Sequence, residues 1–372
     1  MSDELLHSPL HDRHVAAGAK LAEFGGWEMP LEYAGGGVLA EHHAVRDAVG
    51  IFDVSHLGKA LVKGPGAMDF LNRCLTNDLH RVGPGKAQYT MLCNETGGVT
   101  DDLIAYVRAE DEVFLIPNAA NTTTVVDILK ARAVTEGGAV EVTNQHRDFA
   151  VMAVQGPRSL ELVASLGLPV DMDYMGFATI DRDGWTMTVC RTGYTGELGV
   201  ELVVPTDHAL EVWDEVATAG QEYGIRPCGL GARDTLRTEM GYSLHGNDIT
   251  PGIDPVSAGL SWAIGWKKTE AFCGSEALGK IKSEGPARRM RGLVASGRGI
   301  PRHGMAVVDA DGQVIGEVTS GTFSPTLKQG IALALVDVAH DLGAQVGVQV
   351  RNRVEPFALV KPPFVTPEVR EV

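Results

Sequence analysis

The chain has 372 residues, of which 44% are hydrophobic and 22% charged, so it is long and apolar enough to form two or three globular domains. Its 48 acidic and 32 basic residues give a formal charge of −16, and we therefore expect neither nucleic acid nor a membrane surface as a partner. The five cysteines are dispersed and form no C-x-x-C pair. The chain also has no apolar stretch near the ~20 residues of a membrane helix, and its N-terminus lacks a secretory pattern. These features predict a cytoplasmic protein with reduced thiols.

The first fifty residues are predicted to be mainly helical, and residues 87–117 to form a β-meander divided by the turn clusters NETGG and EDE. A helix with a threonine N-cap is predicted over NTTTVVDILKARAV, followed by the strand FAVMAVQG and the helix RSLELVASLG. A second hairpin, GWTMTVCRTGYTGELGVELVVP, precedes the amphipathic helix TDHALEVWDEVATAG. Strand pairs and helices thus alternate twice, which is typical of α+β layers.

From about residue 288 the pattern changes to short strands separated by Gly, Pro and Asp-Gly turns, with almost no helical periodicity. This predicts a C-terminal β-barrel or sandwich, joined to the rest of the chain by residues 282–289. The nearby basic residues Arg288, Arg289 and Arg291 are interpreted as the solvated edge of this linker.

Several common catalytic signatures are missing. The chain has neither a complete dinucleotide fingerprint nor a phosphate loop, and it has neither an H-E-x-x-H zinc motif nor a G-x-S-x-G nucleophile motif. His7, His11 and His14 have helical spacing, but Pro9 makes one continuous helix unfavourable, so we interpret them as surface histidines on a mobile N-terminal arm. We expect no metal site.

Asp101 and Asp102 lie in a predicted strand, and residues 103–107, which follow them, are all apolar or aromatic. Neighbouring side chains of a strand point to opposite faces, so the two carboxylates are not expected to form one acid–base pair. One carboxylate in a partly apolar cleft could hold an N–H-bearing ligand or relay a proton. Alternatively, both could cap turns or bind backbone amides of the NETGG loop.

Two further segments carry candidate ligand-binding residues. TGYTGELGVEL offers Tyr194 and Glu201 beside glycines that allow close backbone approach, or it is a tight hairpin with exposed acids. GLGARDTLRTEMGYSLHGND is predicted to be a helix opened by Gly231, with Arg233 and Tyr242 along it. Arg233 could grip a carboxylate, or it could belong to an ordinary surface charge pattern.

Taken together, these segments resemble the T-protein family of the glycine cleavage system, the tetrahydrofolate-dependent aminomethyltransferases. The resemblance covers essentially the whole chain, and its order and spacing make it specific although each fragment is weak alone. The fragments are FGGWEMPLEY, EHHAVRDAVGIFDVSHLGK, GKAQYTMLCNETGGVTDDLIAY, NAAN, AVQGP, TGYTGELGVEL, PCGLGARDTLRTEMGYSLHGND and TSGTFSPTL.

The resemblance implies an α+β fold of three domains in a cloverleaf-like arrangement around a central folate channel, with a β-barrel as the third domain. The implied division is residues 1–285 for the folate-binding region and 286–372 for the barrel. Within the first region, two intertwined subdomains would comprise roughly 1–50 with 145–285, and 51–144. The implied partners are the lipoylated H-protein and tetrahydrofolate, whose reaction releases ammonia and yields methylenetetrahydrofolate.

The resemblance also implies the residues of the site. Asp102 would be the acid beside the reactive folate nitrogens, Glu201 would accept hydrogen bonds from the pterin amino edge, and Arg233 would lie near it. The remaining implied pocket residues are Leu57, Tyr89, Asn118, Tyr194 and Tyr242. Leu57 stands where the family usually has methionine, a swap of similar volume. Arg370 is a further candidate for contact with the folate tail.

Two alternatives remain at this point. One is another enzyme or an assembly factor on the same scaffold, but the iron–sulfur and tRNA-linked relatives carry K-G-C-Y-x-G-Q-E where this chain has TGYTGELG. The other is a folate-binding scaffold without catalysis, against which the complete GGVTDD and GYTGE motifs argue.

Overall fold

The computed structural model describes residues 4–136, 139–351, 353–366 and 369. Its helices are α1 (His11–Ala16), α2 (Gly37–Asp47), α3 (Ala67–Cys74), α4 (Thr122–Thr135), α5 (Ser159–Ser165), α6 (Ala209–Ala219), α7 (Leu230–Met240) and α8 (Ser275–Glu284). The strands of the first half are β1 (Leu6–His7), β2 (Lys20–Phe24), β3 (Trp27–Glu32), β4 (Val49–Asp53), β5 (Ala60–Lys63), β6 (Lys86–Cys93), β7 (Val99–Ala109), β8 (Glu112–Pro117), β9 (Glu141–Asn144) and β10 (Phe149–Gln155). The remaining strands are β11 (Phe177–Arg182), β12 (Trp185–Cys190), β13 (Gly199–Pro205), β14 (Ile225–Cys228), β15 (Arg288–Ala295), β16 (Ala306–Val308), β17 (Val314–Ser324), β18 (Gln329–Asp337), β19 (Gln345–Val350) and β20 (Arg353–Val360).

The first fifty residues contain a small sheet of order β1-β3-β2 as well as helices, so the prediction of a mainly helical region is wrong. Gly25 and Gly26 both have positive φ and turn the chain back between β2 and β3. The tip of this hairpin packs close to Ala119, and a Cβ at Gly25 would lie 3.1 Å from the Ala119 Cβ. The pairing of β1 with β3 joins residues about twenty positions apart, which local periodicity does not reveal.

The predicted meander is confirmed as β6, β7 and β8, which belong to a five-stranded sheet of order β6-β7-β8-β5-β9. Alternate residues of β7 enter the core beneath this sheet, among them Leu103, Ala105 and Val107. Helix α3 covers the same core with Phe70 and Leu71. The opposite face of β7 is consequently free to contribute side chains to a cavity.

A six-stranded sheet of order β11-β12-β13-β10-β4-β14 forms the second layer. The predicted hairpin β12–β13 and the predicted helices α5 and α6 are present, and these helices pack on this sheet. The strand β4 crosses the boundary proposed at residues 50 and 51, and the division into two subdomains stays a prediction.

The C-terminal segment is a closed barrel of order β15-β18-β17-β16-β19-β20, which confirms the barrel and excludes the sandwich. The two sheets and the barrel each contribute residues to one central cavity, in agreement with the three-part, cloverleaf-like α+β fold. Within the described residues, no helix has both the length and the apolar character that crossing a membrane requires.

Polar side chains buried at the junction tie the barrel to the rest of the chain. Arg237 of α7 is 2% exposed and donates to Asp248 (2.8 Å) and to Ser320 of β17 (2.9 Å). Glu239, also on α7, accepts from Ser324 at 2.5 Å. Because these groups are removed from water, their pairing fixes how α7 sits against the barrel.

Candidate active site

A cavity of about 1630 Å³ lies where the two sheets meet the barrel. All eight residues implied by the resemblance line it: Leu57, Tyr89, Asp102, Asn118, Tyr194, Glu201, Arg233 and Tyr242. They come from strands β6, β7 and β13, from helix α7 and from four connecting loops. Residues separated by up to 185 positions in the chain thus share one chamber.

Asp102 is the carboxylate that faces this cavity, as strand alternation requires. Its Oδ2 accepts a hydrogen bond from the Tyr89 hydroxyl at 2.9 Å, and its Oδ1 accepts from Asn118 Nδ2 at 2.7 Å. Burial raises the pKa of Asp102, although its hydrogen bonds from Tyr89 and Asn118 oppose this. A carboxyl group with a raised pKa is better suited to accept and return a proton than an ordinary exposed carboxylate.

Asp101 is fully buried on the opposite face, where three donors hold it. Asn118 donates to it from its backbone nitrogen (3.0 Å) and from Nδ2 (2.9 Å), and Asn121 Nδ2 donates at 2.7 Å. Burial and then the charge of Asp102 raise the pKa of Asp101 to about 8. The two side chains diverge as expected, but the Asn118 amide connects them, which strand geometry alone did not predict.

Asn121 precedes the helix predicted over NTTTVVDILKARAV and replaces the predicted threonine as its N-cap position. Its amide does not cap the helix; it donates instead to Asp101 and to His245 Nδ1, the latter at 2.9 Å. His245 Nε2 donates to the Val99 carbonyl (3.1 Å). A chain of polar contacts therefore extends from His245 through Asn121, Asp101 and Asn118 to Asp102.

Glu201 and Arg233 form a second polar wall. Glu201 is 8% exposed and accepts from the Thr192 hydroxyl at 2.5 Å, so the alternative of an exposed acid at Glu201 is wrong. The Nη1 of Arg233 is buried without a hydrogen-bond partner among the described residues. Such a group favours a ligand oxygen as its missing acceptor.

Aromatic rings lie between these polar walls. Tyr194 and Tyr242 stack with centroids 5.7 Å apart, and the Arg233 guanidinium lies 4.6 Å from the Tyr194 ring centre. The Tyr194 hydroxyl donates to the Ser243 carbonyl. Gly196 in this loop has a φ of +85°, and a Cβ at this position would lie 2.3 Å from Met240 Sδ. The close approach of the loop to Met240 therefore requires glycine here.

The helix that carries Arg233 differs from the predicted one. It begins at Leu230 with Gly229 as N-cap and ends at Met240, so Tyr242 lies beyond it, after Gly241 in the left-handed region. Arg237 shares the helix with Arg233, but it is buried against Asp248 and does not line the cavity. Arg233 alone of the two reaches the cavity.

Several cavity residues escaped sequence reasoning. His56 is 2% exposed with its Nδ1 unpartnered among the described residues, and burial followed by the Arg233 charge lowers its pKa to about 3. Trp262 is 63% exposed and stacks on Tyr89 with centroids 5.4 Å apart. His56 lies between the DVS segment and Leu57, so its position in the sequence could have identified it as a cavity residue. No local sequence feature distinguishes Trp262.

The interpretation of the basic run near residue 288 as a solvated linker edge is wrong for Arg289 and Arg291. Arg289 and Arg291 line the cavity, together with Lys361, so they are not merely a solvated linker edge. Arg288 does pair at the surface, with Asp337 at 2.7 Å. Arg370 lies outside the described residues.

The N-terminal histidines are placed by the fold and are not carried on a free arm. His14 is 1% exposed, with Nε2 2.8 Å from the buried Asp53 and Nδ1 2.9 Å from the Tyr33 hydroxyl. His7 and His11 stack with centroids 3.9 Å apart, and their ligand atoms and that of Glu28 lie within 4.8 Å of one another. The ring planes are parallel, so one ion could not lie in both, and none of the three residues lines the cavity. That the chain uses no metal stays a prediction.

The cavity therefore joins a carboxylate whose pKa is raised by burial to a polar wall that can orient a planar ring. Glu201 can accept from N–H groups, Arg233 and His56 retain free polar atoms, and tyrosine faces offer stacking. The described lining of the cavity contains Ser243 and Ser261 but no cysteine. The chemistry best served is transfer at nitrogen with proton relay.

Comparison with known proteins agrees with this architecture. A family model described as the GCVT N-terminal domain matches residues 10–268, and one described as the glycine cleavage T-protein C-terminal barrel domain matches residues 288–366. The chain is 59% identical over 367 residues to the aminomethyltransferase of Parafrankia sp. (strain EAN1pec), covering 99% of this chain and 100% of that protein. It is 56% identical over 374 residues to the aminomethyltransferase of Mycobacterium avium (strain 104), covering all of both.

A solved structure supports the same assignment. The glycine cleavage system aminomethyltransferase T from Bartonella henselae superposes with a TM-score of 0.92 at 35% identity, over 98% of this chain and 99% of that one. Similarity thus extends through both sheets and the barrel. The chain belongs to the glycine cleavage T-protein family and is an aminomethyltransferase.

Proposed function

We propose that this aminomethyltransferase transfers the methylene carbon of the aminomethyl group carried by lipoylated H-protein to tetrahydrofolate, releasing ammonia. The products are 5,10-methylenetetrahydrofolate and dihydrolipoyl H-protein. The observation that carries the proposal is Asp102, a carboxyl group of raised pKa held by Tyr89 and Asn118 in the same chamber as Glu201 and Arg233. The cytoplasm is the proposed location, and neither nucleic acid nor membrane is a proposed partner.

The binding role falls to Glu201, Arg233 and the tyrosines. Glu201 accepts hydrogen bonds from the pterin amino edge, and the unpartnered Arg233 Nη1 donates to a pterin oxygen. Tyr194 and Tyr242 provide an aromatic surface for the pterin and aminobenzoyl rings, with Leu57 adding apolar area. A cavity of about 1630 Å³ also leaves room for the lipoyl arm beside the folate.

The catalytic role falls to Asp102. Transfer breaks the carbon–sulfur and carbon–nitrogen bonds of the aminomethyl group and two N–H bonds of the folate. The two folate protons end on the departing amine and on the lipoyl sulfur, so the exchange needs no net oxidation. We propose that Asp102 orients the folate nitrogens and relays these protons, with no metal taking part. Asn118 and Tyr89 hold its carboxyl group in place.

The direct test is an ammonia-release assay with aminomethyl-loaded, lipoylated H-protein, with and without tetrahydrofolate. We expect fast ammonia release only when tetrahydrofolate is present, with stoichiometric methylenetetrahydrofolate. Folate binding without any ammonia release would favour a non-catalytic scaffold and contradict the proposal.

Replacing Glu201 with Gln tests the binding wall. We expect the Kd for tetrahydrofolate to rise about 10- to 100-fold, because a hydrogen bond to a charged group contributes roughly 1.5–3 kcal/mol. Calorimetry would measure this, with Glu211→Gln on the exposed side of α6 as the matched control. Equal affinity for the Glu201 variant and the wild type would show that the pterin edge is held elsewhere.

A further inference from the structure

Two side chains outside the cavity hold the turn that connects β4 to β5. Lys59 Nζ donates to the Ser55 and Leu57 carbonyls, both at 2.8 Å. His146 Nε2 lies 2.8 Å from the His56 carbonyl, and because a carbonyl can only accept, this nitrogen carries the proton. Three consecutive carbonyls are therefore bound by Lys59 and His146, which we call the carbonyl clamp. Neither of them is among the described residues that line the cavity.

Lys59 is 0% exposed, so its ammonium group is fully removed from water. Among the described residues its hydrogen bonds go to carbonyls alone. Burial lowers the pKa of Lys59 to about 7, although the charges of Asp53 and Asp148 oppose this. A buried cation without a hydrogen-bonded carboxylate is costly, and an apolar side chain of similar length would fill the same space without that cost. The distinct contribution of Lys59 is thus to fix the two carbonyls that it binds.

The turn held by the carbonyl clamp belongs to the candidate site. Two of its side chains line the cavity: His56 and Leu57. Gly58 N donates to the Pro117 carbonyl at 2.8 Å, and Asn118, the next residue, donates to Asp102 Oδ1 at 2.7 Å. A Cβ at Gly58 would lie 2.7 Å from Pro117 Cγ, so the two segments pack too closely for a side chain here. A displacement of the turn would therefore be transmitted to the amide that orients Asp102.

We propose that Lys59 and His146 are positioning residues for the transfer reaction, which keep the turn in the cavity wall and Asn118 against Asp102. This rests on the proposed function, because Asp102 is the group whose placement they serve. The alternative is a contribution to folding stability alone. The two roles differ in a measurable way, since a positioning residue changes kcat in the folded enzyme and a purely stabilising residue does not.

The experiment compares Lys59→Met with Lys63→Met in steady-state ammonia release, using the full-length enzyme and loaded H-protein at a temperature where each variant is folded. Lys63 lies further along on β5, pairs at the surface with Glu112 at 2.7 Å, and is the matched control. We expect Lys59→Met to lower kcat about 10- to 100-fold, because small displacements at a reacting centre cost up to about 10²-fold. The KM for tetrahydrofolate should rise less than about threefold, since Glu201 and Arg233 are unchanged. Lys63→Met should keep both constants.

Replacing His146 tests the carbonyl clamp independently of how well Lys59→Met folds. His146→Phe keeps a ring against Trp27 but loses the donor to the His56 carbonyl, whereas His146→Gln keeps a donor. We expect kcat to fall at least about threefold for the Phe variant and less than about twofold for the Gln variant, because only the first loses a hydrogen bond.

A second readout does not depend on turnover. In wild-type protein labelled with ¹⁵N-histidine, the ring signals of His56 are identified by their loss in His56→Gln. They should shift in Lys59→Met and stay in place in Lys63→Met. Lower unfolding temperatures with unchanged kcat in Lys59→Met and His146→Phe would overturn the proposal, and so would unshifted His56 signals. A wild type without ammonia release under any condition would contradict the proposed function, while the His56 shift would still show that the clamp positions the turn.

Discussion

Replacing Asp102 with Asn is expected to lower kcat for ammonia release by about 10²- to 10⁴-fold, the range typical of general acid–base groups. Asparagine keeps the shape of the side chain, and its amide oxygen can still accept the Tyr89 hydrogen bond, while its amide nitrogen replaces the oxygen that accepts from Asn118. The change therefore removes the ionisable group together with one acceptor. The KM for tetrahydrofolate should change less than about tenfold, because Glu201 and the tyrosine faces are untouched. Steady-state kinetics with loaded H-protein measures both quantities.

The neighbouring substitution Asp101→Asn is the matched control, and we expect a loss in kcat below about tenfold. Asp101 faces away from the cavity, and its contribution passes through the Asn118 amide that it holds. A greater loss at position 101 than at position 102 would show that the carboxylate nearer the reacting atoms has been wrongly assigned. The comparison is informative because the two residues share one hydrogen-bonding partner.

Replacing Arg237 with Met is expected to lower the free energy of unfolding by about 3–5 kcal/mol, the usual cost of removing one partner of a buried ion pair. Methionine retains much of the apolar stem, but the fully buried Asp248 loses its cation, and Ser320 of the barrel loses a donor. Urea unfolding followed by tryptophan fluorescence at constant pH measures the change.

The matched control is Arg288→Met, which breaks the half-exposed pair with Asp337 and should cost at most about 1 kcal/mol. In the Arg237→Met background, Asp248→Asn should restore part of the loss, since the uncompensated charge is then removed. Similar losses for Arg237→Met and Arg288→Met would mean that the junction between α7 and the barrel contributes little to stability.

Much of the fold follows from local sequence pattern. The β6–β8 meander, the helices after it, the β12–β13 hairpin and the C-terminal barrel have periodicities and turn residues that lie within each segment. The N-terminal sheet did not follow, because β1 has only two residues and pairs with a strand about twenty positions later. The helix predicted to include Tyr242 ends at Met240, where Gly241 enters the left-handed region.

The candidate site could likewise be predicted only in part from the sequence. Strand alternation is enough to separate Asp101 from Asp102, and the family resemblance is enough to nominate eight residues that the structure finds around one cavity. Neither reveals that Asn118 joins the two carboxylates, since that amide comes from a loop sixteen or seventeen residues further along the chain.

Motifs and periodicity thus identify the family, the layers and the carboxylate that faces a pocket, because each depends on residues close together in the chain. The burial of His14 against Asp53, the pairing of Arg237 with Ser320, and the hydrogen bond from Met290 to the Ser257 carbonyl depend on contacts across dozens of residues. Whether a charged side chain is buried or paired depends on such contacts. For this reason a basic run that looked like a solvated linker became part of the cavity wall only once the barrel had closed and packed against the two sheets.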